Sequence, residues 1–166
     1  MGLAELLPQS YEFSFGEARI SLRYDMTALL FLERCGLEYK DIFAESIRVC
    51  DLSVFVQAGF PAIGEKRAEK LIRAVGARKM WEHIQAAVLL SLPEPDPLVI
   101  PENKGGTGEI DFAVLRTLVC DIMKKDEDFF WKSTIRELVE RWQNYAVAKG
   151  FRKPPERIQI YDTEGM

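Results

Sequence analysis

Tyr11-Glu-Phe-Ser-Phe-Gly-Glu-Ala-Arg-Ile-Ser-Leu-Arg-Tyr24 alternates apolar and polar side chains on both sides of a Gly-Glu pair. Such alternation marks a strand with one buried face. Gly16-Glu17 is then a two-residue hairpin loop. Glycine at its first central position suits a type II′ turn, because it accepts positive φ without a Cβ clash. The loop sets Phe15 against Ala18, Phe13 against Ile20 and Tyr11 against Leu22. All these apolar residues share one face, so turn and pattern specify the same register. A two-stranded hairpin is marginal alone. It is predicted over residues 10–24, lying on the helices that follow. The fold class is therefore α+β, mainly α-helical: an N-terminal β-hairpin on a helical bundle, a linker, and a C-terminal helical pair.

Downstream, Asp25 is placed to cap a helix. Met26 to Cys35 is apolar on nearly every side, which predicts a helix buried under the hairpin and ended by Gly36. Tyr39, Ile42, Phe43, Ile47 and Cys50 give the stripe of a second helix. Leu52 to Ala58 makes a short third, closed by Gly59 and Pro61. Gly64 opens a fourth, with Ala68, Leu71, Ile72 and Val75 on its inner face. A fifth runs from Ala77 to Leu92 with Trp81, Ile84 and Val88 inward. His83 lies beside that stripe, with no partner that the sequence names.

Leu92 to Gly108 holds four prolines and three glycines. Prolines stiffen such a stretch and glycines loosen it, so it divides the chain into 1–92, a linker 93–109, and 110–166. Within it, Lys104-Gly105-Gly106-Thr107-Gly108 lacks the residue order and preceding strand of a phosphate-binding P-loop. Asp111 caps a helix striped by Phe112, Leu115, Val119, Ile122 and Met123. Asp126-Glu127-Asp128 reads as a solvated turn. Thr134 and Glu137 fit a capping box for a helix with Ile135, Leu138, Val139, Trp142 and Ala146 inward. Glu137 is expected to pair with Arg141 on its outer side. Gly150 ends this helix. Arg152-Lys-Pro-Pro155 forbids more helix, and Ile158 to Tyr161 reads as a short strand or a docking tail.

The 166 residues are 48% hydrophobic, enough for a real core, and their net charge is −4. A free-standing nucleic-acid binder is usually basic, so nucleic acid is not the expected partner. Cys35, Cys50 and Cys120 are far apart, and one histidine cannot complete a metal cluster. The cysteines are expected to be small buried hydrophobes in a reducing cytosol. With no signal-like start and no apolar run of about 18 residues, the chain reads as soluble and cytoplasmic, with no membrane partner. No Ser/His/Asp order, Cys/His signature or His-Glu-x-x-His is present. The expectation is a binding protein, not an enzyme, with no cofactor.

Two binding readings compete. Phe60-Pro-Ala-Ile-Gly-Glu-Lys-Arg-Ala68 resembles a helix-hairpin-helix, in which glycines let backbone N–H groups approach a phosphate. Gly64 matches the second glycine of that pattern; Ala62 stands at the first. Residues 65–79 carry six basic and two acidic side chains. On this alternative Gly64, Lys66, Arg67 and Lys70 would bind nucleic acid. An ordinary helix start with a solvated basic face explains the same residues.

The other reading uses the order of several segments. Ile20-Ser-Leu-Arg-Tyr-Asp-Met-Thr-Ala-Leu-Leu-Phe-Leu-Glu-Arg-Cys-Gly36 resembles the start of the phage tail assembly chaperones, with their strand, helix, Leu-Glu pair (Leu32-Glu33) and glycine. Ala58-Gly59-Phe60 resembles the end of the short helix in that family, and Ser91-Leu92-Pro93 the end of a later one. Phe130-Trp-Lys-Ser-Thr-Ile-Arg-Glu-Leu138 resembles a C-terminal segment of some members. The resemblance covers residues 18–93 and 126–143. It implies a non-enzymatic assembly factor of long-tailed bacteriophages in the host cytoplasm. Its partners would be the tape measure protein, a long helical chain, and the tail tube protein; self-association is left open. A groove for an amphipathic client helix needs apolar anchors. Phe129, Phe130, Trp131, Trp142 and Tyr145 are the richest supply. A core role is the competing reading for Trp131 and Trp142. Neighbours on a helix face different ways, so Phe129 or Phe130 is left over for a partner.

Overall fold

The computed structural model describes residues 9–93 and 111–151. Strands β1 (Tyr11–Phe15) and β2 (Ala18–Leu22) pair antiparallel, with Phe15 opposite Ala18, Phe13 opposite Ile20 and Tyr11 opposite Leu22. Gly16 has φ 59° while Glu17 does not cross to positive φ, the combination of a type II′ turn. Phe13, Ile20 and Leu22 are buried, whereas Phe15 at the turn is exposed.

Helix α1 (Met26–Arg34) starts where Asp25 accepts the Ala28 N–H at 2.9 Å. It buries Met26, Ala28, Leu29 and Leu32 but leaves Phe31 exposed. The expectation of burial all round is corrected, because neighbours cover only one side of the helix. At its end the Gly36 N–H donates to Glu33 O and the Leu37 N–H to Leu32 O, both at 2.9 Å. This is a Schellman closure, with Gly36 at φ 75°.

The predicted second helix does not form. Tyr39–Phe43 is a 3-10 turn, and Ala44 turns extended. A helix would use the Ile42 carbonyl for residue 46. Here Trp81 Nε1 takes it at 2.6 Å and Gln85 Nε2 at 3.0 Å. Helix α2 (Val49–Gly59) follows, then a 3-10 turn (Pro61–Ile63), α3 (Glu65–Val75) and α4 (Ala77–Ser91). Gly59 is the last residue of α2, which ends there ahead of Pro61 as expected. A Cβ at Gly59 would stand 2.9 Å from Cζ of Tyr24, so the residue is needed for close packing.

Helix α5 (Phe112–Arg116) runs into a π-helical turn (Thr117–Ile122), capped at its start by Asp111. The Met123 N–H reaches back to Leu118 O at 2.9 Å. That wider turn keeps Val119 buried and brings Ile122 out, which breaks the predicted stripe. Asp126 then caps α6 (Glu127–Lys132), a short helix where a solvated turn was expected, by accepting the Phe129 N–H at 2.6 Å. Helix α7 (Ile135–Ala148) opens with the predicted capping box of Thr134 and Glu137 and closes on Gly150.

The chain is mainly helical and α+β. Helix α2 is central, packed against α1, α3 and α4, with β1 on α4 and β2 on α2. Helix α6 packs on α1, and α7 on α4. One contiguous core runs from Phe13, Leu22 and Tyr24 through Leu32, Phe55 and Ile84 to Phe130 and Leu138. Polar contacts reinforce the union. Arg23 donates to Gln9 O (2.6 Å), Lys132 O (2.7 Å) and Glu137 Oε2 (2.7 Å). The Met26 N–H donates to Ser133 O at 3.0 Å, and Arg136 Nε to Leu92 O at 2.7 Å. Of the predicted linker 93–109, only Pro93 lies within the described residues. The predicted strand or docking tail at Ile158 to Tyr161 lies outside them.

Candidate functional site

Helix α6 separates the two phenylalanines that the sequence leaves undecided. Successive helical residues point about 100° apart. Phe130 is fully buried in the core, with the Trp131 ring edge-on at 4.9 Å. As a partner-binding anchor, Phe130 is thus corrected to core. Trp131 is half-buried, and its backbone carbonyl accepts the Thr27 hydroxyl at 3.1 Å. Phe129 turns the other way and stays half-exposed to the surface.

Around Phe129 the chain assembles an aromatic and cationic surface. Lys125 Nζ and the Arg141 guanidinium each lie 5.8 Å from the Phe129 ring centre. Trp142 and Tyr145, both half-buried, stack with ring centres 5.8 Å apart. The Tyr145 hydroxyl donates to Ile122 O at 3.3 Å, and Lys149 Nζ stands 5.8 Å over the Tyr145 ring. The sequence builds this locally in two ways. Arg141, Tyr145 and Lys149 recur every fourth residue, on one side of α7. The π-helical turn presents Ile122 beside them, 41% exposed.

Three nearby carboxylates are committed elsewhere. Asp126 caps α6, Glu127 pairs with Arg116, and Asp128 pairs with Lys132. Glu137 does not pair with Arg141, as the sequence suggested. It serves the capping box and the ion pair to Arg23, a side chain four-fifths buried. Among the described residues, Lys125, Arg141 and Lys149 therefore make cation–π contacts but no ion pair.

The other candidate is the turn between α2 and α3. Gly64 caps α3 at φ 71° without a side-chain cap, and Lys66, Arg67 and Lys70 are exposed on that helix. Ala62, at the first glycine position of the helix-hairpin-helix pattern, is exposed as well.

The expected burial of the three cysteines is corrected. Cys35 and Cys50 are exposed and Cys120 is half-buried. Cys35 is the C-cap of α1, and Cys50 sits on the outer side of the first turn of α2. His83 has a defined environment: its ring stacks on Phe13 at 4.0 Å, and Nδ1 lies 2.9 Å from the Tyr11 hydroxyl. Burial lowers its pKa, Glu82 opposes that shift, and Lys79 adds to it. Strand alternation places Tyr11 and Phe13 on one face, but nothing local says that α4 covers it.

Among the described residues no cluster of three or more His, Cys, Asp or Glu side chains is placed to hold a metal ion. No described helix is long and apolar enough to cross a membrane. Compared with known proteins, the chain matches no family model, no curated protein and no solved structure.

Proposed function

We propose that this protein is a non-enzymatic tail assembly chaperone of long-tailed bacteriophages. In the host cytoplasm it would bind the tape measure protein and promote assembly of the tail tube around it. The observation that carries the reading is the surface of Ile122, Phe129, Trp142 and Tyr145, which offers apolar anchors on two helices and the π-helical turn. An amphipathic client helix is commonly held through anchors at i, i+3, i+4 and i+7. The ordered family-like segments from Ile20 to Leu138 support the same reading.

Co-expression with the tape measure protein is expected to raise that protein's soluble yield. Phe129→Ala with Trp142→Ala should keep the melting temperature within a few degrees and lose the effect, since both side chains are only half-buried. An unchanged client yield with the intact chain present removes the chaperone reading.

One observation favours the helix-hairpin-helix alternative. Helices α2 and α3 pack on each other across the turn Pro61–Ile63, and Lys66, Arg67 and Lys70 are exposed in α3, whose N-cap Gly64 supplies no side-chain hydrogen bond. On the chaperone reading, duplex and branched DNA should not bind at physiological salt. Micromolar, salt-sensitive binding that is lost in Lys66→Glu/Lys70→Glu would put this alternative first.

A further inference from the structure

We propose that the surface built by the π-helical turn, α6 and α7 selects an acidic amphipathic helix. The partner's apolar side chains would rest on Ile122, Phe129, Trp142 and Tyr145, and its carboxylates would meet Lys125, Arg141 and Lys149. The inference rests on the chaperone reading for the identity of the client; the chemistry of the partner comes from the surface.

The chain carries a net −4, yet this surface gathers three cations around its aromatic rings. Seven other cations among the described residues, Arg19, Arg23, Lys40, Arg48, Arg78, Arg116 and Lys132, each pair with a carboxylate. Among the described residues Lys125, Arg141 and Lys149 do not; each lies 5.8 Å from a ring centre. The neighbouring carboxylates of Asp126, Glu127, Asp128 and Glu137 are held in caps and ion pairs, while Asp121 and Glu140, next in sequence to Ile122 and Arg141, are exposed. An exposed cation–π contact is weak, so these cations can turn from the rings to an incoming carboxylate at small cost and leave the rings to apolar side chains.

The spacing suits a helix. From Arg141 to Lys149, the residue that caps the end of α7, is a little over two turns, about 12 Å along the helix axis. A partner helix with carboxylates two turns apart on one flank reaches both cations. Apolar residues on its adjoining face then fall on Tyr145, Trp142 and Phe129. A basic helix of the same apolar pattern would set like charges against each other and be rejected.

The test uses the full chain and two synthetic helical peptides of identical apolar pattern, one flanked by Glu and one by Lys, read by fluorescence anisotropy. The Glu peptide is expected to bind and the Lys peptide not. The triple variant Lys125→Glu/Arg141→Glu/Lys149→Glu should weaken Glu-peptide binding by roughly tenfold or more, from three rim contacts. Its melting temperature checks that it folds. Lys66→Glu/Lys70→Glu, on the basic face of α3, should leave binding unchanged. Equal binding of the two peptides, no binding of either, or an equal loss in both variants overturns the proposal. The chaperone reading is scored separately by client yield. A raised yield without Glu-peptide preference sinks only this inference. Glu-peptide binding without a raised yield sinks only the chaperone reading.

Discussion

Tyr24 and Gly59 are matched at atomic distance. The Tyr24 ring is fully buried, its hydroxyl donates to Phe55 O at 2.7 Å, and burial pushes its pKa far above the ordinary phenol value. The ring lies where a side chain at Gly59 would begin. Helix propensity alone favours Gly59→Ala by up to about 1 kcal/mol. Overpacking against a ring that cannot move costs about 1–3 kcal/mol. We expect Gly59→Ala to lower stability to chemical denaturation, and Tyr24→Leu/Gly59→Ala to be more stable than Tyr24→Leu alone. Simple additivity between the two sites would refute the contact. His83 gives a second residue-scale expectation. Its pKa lies below the ordinary 6.5, chiefly through burial. As pH falls, the unfolded chain takes up this proton first. The stability from His83 is therefore complete above about pH 6.5, the unfolded-chain value, and is lost as pH falls from there through its lower folded-state pKa. His83→Phe keeps a ring against Phe13 and removes the titration, so its melting temperature should fall less between about pH 7.5 and 5 than that of the native chain. Parallel pH profiles would show that His83 is not responsible.

At the scale of elements, what the sequence revealed depended on how local its cause was. The hairpin register was legible because Gly16-Glu17 and the alternation lie within fourteen consecutive residues. The capping box at Thr134 was legible for the same reason. The stretch from Tyr39 to Cys50 was not, because Trp81 and Gln85, some forty residues on, take the Ile42 carbonyl. The outward turn of Ile122 was hidden too, since a π-helical turn leaves no mark in a 3.6-residue pattern. Of the candidate surface, the sequence supplied Phe129, Trp142 and Tyr145. It missed Ile122 and the three cations, and it included Phe130, because which of two adjacent aromatics faces inward depends on where α1 lies. Glu137 shows an element serving two ends. It closes the start of α7 and anchors Arg23 at the end of β2. Removing one partner of a largely buried pair also strands the other. Glu137→Ala is expected to cost about 2–4 kcal/mol by equilibrium unfolding, and Glu140→Ala, on an exposed position of the same helix, less than about 0.5 kcal/mol. Similar losses at both sites would deny Glu137 its joint role.

For the whole molecule, the shared core decides how mutational tests must be read. Phe130 and Leu138 are as buried as Phe55 and Leu52. Phe130→Ala should cost roughly 3–5 kcal/mol and shift a single cooperative unfolding transition, seen alike by far-UV dichroism and tryptophan fluorescence. Two separated transitions would mean that the halves unfold independently. It also follows that truncation after Pro93 does not cleanly remove a binding module. It uncovers apolar faces of α1 and α4 that α6 and α7 cover. Loss of client binding on truncation therefore carries less weight than loss in surface variants that keep the melting temperature.

The three-way contact of Arg23 with Gln9, Lys132 and Glu137 spans up to 114 residues of chain. At ~5–20 residues per second of synthesis, Arg23 waits roughly 6–23 seconds on the ribosome before Glu137 is made. During that interval the hairpin and the first four helices can gather, while the apolar seat of Phe130 stands open beside α1. The nascent chain thus passes through a stage in which it presents the kind of surface that other proteins bind, and its own last helices are what close that surface.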